Sequence, residues 1–236
     1  MKALFLSIMI LWLGIFSDET PVNIWLVGDS TMAWKKPERN PESGWGEGLK
    51  GLVRENARIH NHAASGRSTK SFIDEGRWKE VVDSLRKGDY VVIQFGHNDQ
   101  KTEEKLHTDA FGSFKKNLKY FVEQTRERGA HPILCTSIVR RHFDDRGKVK
   151  DTHGDYILAT REVAQELKVP LVDLQENTRQ LLNKLGREAS KPLYVFNKGR
   201  QDSTHLSHYG ATEVALLFVR GMQGQQPATR KLFGDK

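Results

Sequence analysis

The chain alternates short apolar runs with longer segments of helical period. Residues 22–27 are rich in β-branched and large apolar side chains and stop abruptly at Gly28-Asp29-Ser30. An apolar run closed by turn residues predicts a buried strand. Residues 57–62, 90–95, 132–139 and 169–173 read the same way. The clearest of them, 90–95, ends at Gly96-His97-Asn98-Asp99. Between these runs, residues 45–53, 71–85, 109–128, 155–168, 178–189 and 207–222 carry helical spacing. In 109–128, Phe111, Phe114, Leu118, Phe121, Val122 and Thr125 recur every three or four residues and Gly129 supplies a stop, a stripe that reads as core packing. Residues 140–154 and 190–204 read as polar loops, the second carrying Tyr194 and Phe196, and residues 222–236 as a polar tail. Strands alternating with helices imply parallel βαβ units. Five strands predict an α/β fold, a three-layer α/β/α sandwich on a flavodoxin-like five-stranded parallel sheet. No internal repeat, linker or composition shift divides the 236 residues, so residues 20–236 read as a single domain.

The first residues do not fit this pattern. Lys2 is followed by a nearly unbroken apolar stretch and then by Ser17-Asp18-Glu19-Thr20. About fourteen apolar residues are too few for a comfortable membrane span and match the apolar region of a secretory leader. Residues 1–19 are therefore expected to be a signal peptide, and the protein to be secreted or periplasmic. The lone Cys135 lies inside an apolar run, so no internal disulfide can form and a core position is expected.

Hydrophobic residues make up 37% and charged residues 28% of the chain, with a net charge of +7. Excess positive charge favours encounter with polyanions. The basic residues are scattered, apart from a cluster at Arg140, Arg141, Arg146, Lys148 and Lys150, and the aromatic residues show no base-stacking pattern. Nucleic acid is thus disfavoured. A membrane partner is not expected, an acidic polysaccharide fits better, and the chain is expected to be a monomer.

The strand ends carry the candidate chemistry. In a parallel sheet the C-terminal strand ends share one edge. Gly28-Asp29-Ser30, Ser65-Gly66-Arg67 and Gly96-His97-Asn98-Asp99 should converge there, with Asp202-Ser203-Thr204-His205 able to close over the same edge. A serine nucleophile needs a base, usually histidine, held by a carboxylate. Ser30, His205 and Asp202 can fill those roles. The developing oxyanion needs donors already in place, and the backbone N–H groups of Ser30 and Gly66 and the side-chain amide of Asn98 would suit. Each residue also has a plain reading: Gly-Asp-Ser as a turn, Gly66 as a turn, Asn98 as a strand-end cap, Asp202 as a helix or turn cap. His60, His62 and His97 read as structural or exposed. His205 and His208 lie three apart, but no further ligand cluster stands out, so neither a metal nor any cofactor is expected. The Gly-x-Ser-x-Gly elbow of ordinary α/β-hydrolases is absent.

Gly28-Asp29-Ser30, Gly66, Gly96-His97-Asn98-Asp99 and Asp202-x-x-His205, in this order, resemble the four sequence blocks of the SGNH, or GDSL-type, hydrolase superfamily. Gly44-Trp45-Gly46, the stretch 65–72, Glu75-Gly76-Arg77-Trp78 and Gly88-Asp89-Tyr90 are similar to its rhamnogalacturonan acetylesterase group. The resemblance covers residues 24–219. It implies metal-independent ester hydrolysis with Ser30 as nucleophile, His205 as base, Asp202 as its partner, and Ser30, Gly66 and Asn98 as oxyanion hole. The expected function is removal of acetyl groups from a pectic polysaccharide such as rhamnogalacturonan. The alternatives are an esterase of the same fold acting on acetylated xylan or a short acyl ester, and a non-catalytic polysaccharide-binding protein. Loops 140–154 and 190–204 are not matched, which leaves the ester itself open.

Overall fold

A computed structural model describes residues 20–197 and 199–234. The expected leader, residues 1–19, lies outside them. Among the described residues, eight strands and seven α-helices follow in order: β1 Val22–Gly28, β2 Glu42–Ser43, α1 Trp45–Gly48, β3 Ala57–Asn61, α2 Thr69–Asp74, α3 Arg77–Ser84, β4 Tyr90–Gln94, α4 Lys115–Glu127, β5 His131–Cys135, α5 Asp155–Glu166, β6 Leu171–Val172, α6 Leu174–Ala189, β7 Tyr194–Asn197, β8 Arg200–Ser207 and α7 His208–Gln225.

Five strands form a parallel sheet in the order β3-β1-β4-β5-β6. This is the expected flavodoxin-like arrangement, with the strand order reversing around β1. Side chains alternate across the sheet, and both faces are covered. Ile24, Leu26, Val92 and Ile133 point into a core shared with α1, α6 and α7. Trp25, Val27, Val91, Ile93 and Leu134 point into the core under α2 to α5. The second core holds an aromatic cluster in which Trp78 and Phe121 lie 4.7 Å apart and Phe72 meets Phe95 edge-on at 5.4 Å. Cys135 is buried in the first core, as expected.

Several elements differ from their sequence reading. Helix 71–85 is two helices, because Gly76 adopts φ +73° between α2 and α3. The helix expected over 109–128 begins with one π turn at Ala110–Phe114 before α4. That turn inserts an extra residue, shifts the helical phase, and leaves Phe111 half exposed rather than in the apolar stripe. The supposed polar tail is packed: α7 runs to Gln225, Pro227–Leu232 forms a 3-10 helix, and Leu232 and Phe233 are buried. Phe233 pairs with Val53 through a β-bridge and meets Phe218 edge-on.

The largest difference falls on 190–204, which is not a loop. Strands β7 and β8 pair antiparallel, and β2 adds to β8 as a third strand. Tyr194 is buried in it, with its hydroxyl donating to Val139 O at 2.8 Å. This small sheet carries the Asp202–His205 segment. It stands against the edge of the large sheet where β1, β3 and β4 end.

Candidate active site

The turn after β1 is built around Asp29. Its Oδ1 accepts from the Thr31 N–H and hydroxyl, both at 2.9 Å. Its backbone carbonyl accepts from the N–H groups of Met32 and Ala33. Gln94, the last residue of β4, donates to Thr31 Oγ1 at 2.7 Å and accepts from the Trp45 indole at 2.7 Å. The Gly44-Trp45-Gly46 stretch can lie against this turn because a Cβ at Gly44 would fall 2.1 Å from Ala33 O. Asp29 is fully buried, and burial raises its carboxyl above the ordinary value despite the Thr31 hydrogen bonds. Its place is structural: it shapes the turn that presents Ser30.

Ser30 Oγ lies 3.0 Å from His205 Nε2. His205 Nδ1 lies 2.8 Å from Asp202 Oδ2. The other carboxylate oxygen, Asp202 Oδ1, accepts from the backbone N–H groups of Thr204 at 2.8 Å and His205 at 2.9 Å. Burial works against ionisation of Asp202. The hydrogen bonds from the His205 side chain and from the His205 and Thr204 backbone outweigh it, so the carboxyl is held well below its usual range. A serine, a histidine and an ionised carboxylate in series can take the proton from an attacking hydroxyl and stabilise the resulting imidazolium.

The three expected oxyanion donors face the same cleft. Neither the Ser30 nor the Gly66 backbone N–H has an acceptor among the described residues. Gly66 has φ +81°, and a Cβ there would meet nothing within 4 Å. Glycine is therefore required at this position by conformation, not by crowding. Asn98 is buried and donates one amide proton to Arg67 O at 2.9 Å. Its second proton is left for the cleft. These donors are fixed before any substrate arrives. Asn98 ties the β4 loop to the β3 loop, and Asp99 does the same by accepting from the Thr69 N–H at 2.9 Å and from the Thr69 and Thr108 hydroxyls. Burial pushes the Asp99 carboxyl up to about 7 in spite of those bonds.

Lys35 binds the remaining loop. Its ammonium donates to Ser30 O at 2.5 Å, to Ser65 Oγ at 3.1 Å and to Glu42 Oε1 at 3.0 Å. Glu42 is buried and also pairs with Arg39 and Arg200, each at 2.7 Å. Burial alone would raise its carboxyl, but the Arg200 and Lys35 hydrogen bonds bring it down to about 2. Arg200 bridges Glu42 to Asp202 Oδ2, 2.5 Å away. Lys35, Glu42 and Arg200 were not singled out from the sequence. Their one local signal is Arg200 two residues before Asp202, and the network closes only through contacts between distant segments. Glu42, Asp202 and His205 bring three ligand atoms within 4.8 Å of one another. Arg200 already lies between the two carboxylates, and its charge occupies the place a cation would take.

His97 is buried beside the cleft, its Nδ1 3.0 Å from His153 Nε2. Burial keeps both imidazoles neutral: it drives His97 well below the ordinary value and His153 down to about 2, and Arg140 adds to each shift. His97 is thus buried rather than exposed, on the lining of the cleft, whereas His153 carried no sequence signal. His208 points away and meets Asn40 Oδ1 at 3.1 Å.

Replacing Asn98 with alanine should lower kcat on 4-nitrophenyl acetate by about 10²–10³-fold, the usual cost of losing one oxyanion donor. KM should change far less, because the donor acts on charge that develops in the transition state. Steady-state kinetics checks this, and a fall in kcat of less than about fivefold would remove Asn98 from the hole.

Residues 26–212 match the GDSL-like lipase/acylhydrolase family. The chain is 40% identical over 212 residues to rhamnogalacturonan acetylesterase RhgT of Bacillus subtilis (strain 168), covering 86% of this chain and 90% of that one. It is 27% identical to a rhamnogalacturonan acetylesterase of Emericella nidulans, covering 92% and 91%. Among solved structures, B. subtilis YxiM superposes with a TM-score of 0.78 at 26% identity, over 87% of this chain; the chain spans 57% of that structure's length. Axe2, an acetylxylan esterase from Geobacillus stearothermophilus, superposes with a TM-score of 0.63 at 20% identity over 86% of this chain and 96% of that one, a likeness of fold alone. The chain therefore belongs to the GDSL-like lipase/acylhydrolase family and is a carboxylic ester hydrolase, grouped by sequence with the rhamnogalacturonan acetylesterases.

Proposed function

We propose that this enzyme removes acetyl groups from a pectic polysaccharide, rhamnogalacturonan, through an acyl-enzyme on Ser30. Ser30 Oγ attacks the acetyl carbonyl carbon while His205 Nε2 takes the hydroxyl proton. The oxyanion is held by the N–H groups of Ser30 and Gly66 and by the Asn98 amide. Collapse of the tetrahedral intermediate breaks the bond to the sugar oxygen, which receives the proton back from His205. Water, deprotonated by the same histidine, then attacks the acyl-enzyme and releases acetate.

The observation that carries the substrate assignment is the charge of the cleft. It encloses about 710 Å³, and its lining includes Lys36, Lys101 and Arg140. None of these three is paired with a carboxylate among the described residues. Unpaired cations around an ester site suit a polymer whose uronic acids bring carboxylates. Trp34 is 45% exposed at the cleft edge; the Lys50 ammonium lies over its ring at 4.5 Å, which leaves one face for a sugar ring. The names of the curated relatives point to the same polymer. Residues 1–19, read as a signal peptide, would bring the enzyme to that polymer outside the cytoplasm.

Acetate release tests the assignment on acetylated rhamnogalacturonan oligosaccharides against acetylated xylo-oligosaccharides of equal length. The expected preference in kcat/KM for the uronate-bearing substrate is about tenfold or more, equivalent to about 1.4 kcal/mol of transition-state binding. It should shrink with added salt. Equal or reversed preference would refute the assignment while leaving the esterase chemistry in place.

A further inference from the structure

The basic cluster at 140–150 is divided by the fold. Arg140 lines the cleft of Ser30, whereas Arg141 and Lys150 line a second cleft of about 430 Å³. Strand β8 is the wall between them: Thr204 and His205 face the first cleft, Gln201 and Ser203 the second. The Arg141 N–H donates to Ser203 O at 2.7 Å, which fixes the two sides of the wall to each other.

The second cleft has an unusual charge. Arg141, Lys150, Arg187 and His142 line it together with Phe143 and Phe196, and no acidic side chain does among the described residues. Arg141 is only 8% exposed. Its Nε donates to Ser190 Oγ at 3.1 Å and its Nη2 to Arg187 O, and its guanidinium lies over Phe196 at 4.7 Å and Phe143 at 5.6 Å. The Arg187 guanidinium lies over the Phe143 ring at 5.6 Å and donates to Asp144 O at 3.0 Å. Among the described residues, none of the three cations is paired with a carboxylate. The nearby acids are occupied: Glu188 pairs with Lys191 at 2.5 Å, and the Asp144 carboxylate accepts from the N–H groups of Arg146 and Lys148. Glu188 is felt by Arg141 and Arg187 but forms its ion pair with Lys191, so the three gathered cations exceed the acidic charge beside them, which raises the local potential and favours an anion. Stacking on the rings leaves guanidinium N–H groups pointing outward in the plane. Arg141 spends Nε and Nη2 on Ser190 and Arg187, and Arg187 spends one N–H on Asp144 O, so the exposed Arg187 and Lys150 are the groups with donors left for a carboxylate. Gln201 and Ser203 add neutral hydrogen-bonding groups of the kind that suit sugar hydroxyls.

We propose that this cleft is a second, non-catalytic subsite that binds carboxylate-bearing sugar residues of the polysaccharide chain whose acetyl ester lies at Ser30. The proposal rests on the pectic reading of the substrate. Only one strand separates the two clefts, so a single chain can cross β8 and engage both. Such an enzyme holds its polymer beyond the sugar being deacetylated. Nucleic acid fits less well, because the phenylalanine faces that would stack bases are already covered by guanidinium groups.

Isothermal titration with an unacetylated oligogalacturonate tests this, because binding then needs no ester. Lys150 and Arg187 are exposed, so neutralising them should cost little stability. The Lys150→Gln/Arg187→Gln variant should bind the oligogalacturonate about tenfold more weakly than wild type, the effect of losing charge-assisted contacts. Lys150→Arg should bind it as wild type does, and a neutral xylo-oligosaccharide should bind no more tightly to wild type than to the variant. Loss of affinity in the double variant with unchanged thermal unfolding supports the subsite even if acetylated rhamnogalacturonan proves a poor ester substrate. Equal affinity in variant and wild type overturns it even if that ester is hydrolysed well. Tighter binding of a single-stranded oligonucleotide than of oligogalacturonate overturns it too.

Discussion

Replacing Ser30 with alanine is expected to lower kcat on 4-nitrophenyl acetate by about 10⁴–10⁶-fold. Among the described residues the hydroxyl is the group hydrogen-bonded to His205 Nε2, at 3.0 Å, and no acyl-enzyme can form without it. The loss should not reach zero activity, because the oxyanion donors and the bound geometry remain. The Ser30→Ala/His205→Ala double variant should lose little more than either single variant, since the two side chains act as one proton-transfer unit. Ser30 lies in a turn held by Asp29, Thr31 and Gln94, none of which uses the Ser30 hydroxyl, so folding should be unaffected. Active-site titration with a fluorophosphonate and steady-state kinetics check both statements. Labelling of the alanine variant, or turnover within about tenfold of wild type, would take the nucleophile's role away from Ser30.

The second large effect is expected at Asp202. Asp202→Asn should lower kcat by about 10⁴-fold although the substitution is nearly isosteric. The direction of the new amide is dictated by the backbone. Oδ1 accepts from the N–H groups of Thr204 and His205, so the asparagine carbonyl must occupy that position. Its NH₂ then faces His205 Nδ1 and the Arg200 guanidinium, where Oδ2 stood. An NH₂ toward Nδ1 forces the histidine into the tautomer that carries its proton on Nε2. That tautomer cannot accept a proton from Ser30. The same NH₂ opposes the Arg200 N–H, a donor against a donor, which weakens the link to Glu42. The nitrogen-15 shifts of the His205 ring report the tautomer directly. An Asp202→Asn variant with wild-type kcat would show that His205 does not need this carboxylate.

Much of the site was legible because parallel β topology turns sequence order into position. β1 and β4 are buried on both faces, so they read as unbroken apolar runs, and their ends could be located to within a residue or two. Once the strands are parallel and the order reverses at β1, the residues after β1, β3 and β4 must meet. This is why Ser30, Gly66 and Asn98 could be named together. Asp202 and His205 were legible as a pair through their spacing, but their support was not. Arg200–Ser207 is a strand whose residues are polar apart from Leu206, with no alternation of apolar and polar positions. It is held in place by pairing with β7 and β2 and by the ion cluster on buried Glu42, both of which join residues far apart in the chain. Leu232 and Phe233 were misread for a related reason: two apolar residues in a polar segment have no period, and only docking beside Val53 and Phe218 buries them.

By itself, then, the sequence determined the α/β class, the strands of the large sheet and which side chains stand as candidates for the reacting groups. Those properties depend on local periodicity, on turn residues and on the kinds of side chain that ester chemistry requires. Only the tertiary structure decided that a small antiparallel sheet delivers Asp202 and His205, that Lys35, Glu42 and Arg200 lock the loops around Ser30, and that Arg140 lines one cleft while Arg141 and Lys150 line another. Each of these arises from charges and backbone groups that satisfy one another across long stretches of chain. Such pairings are set by three-dimensional approach and leave no periodic trace in the order of residues.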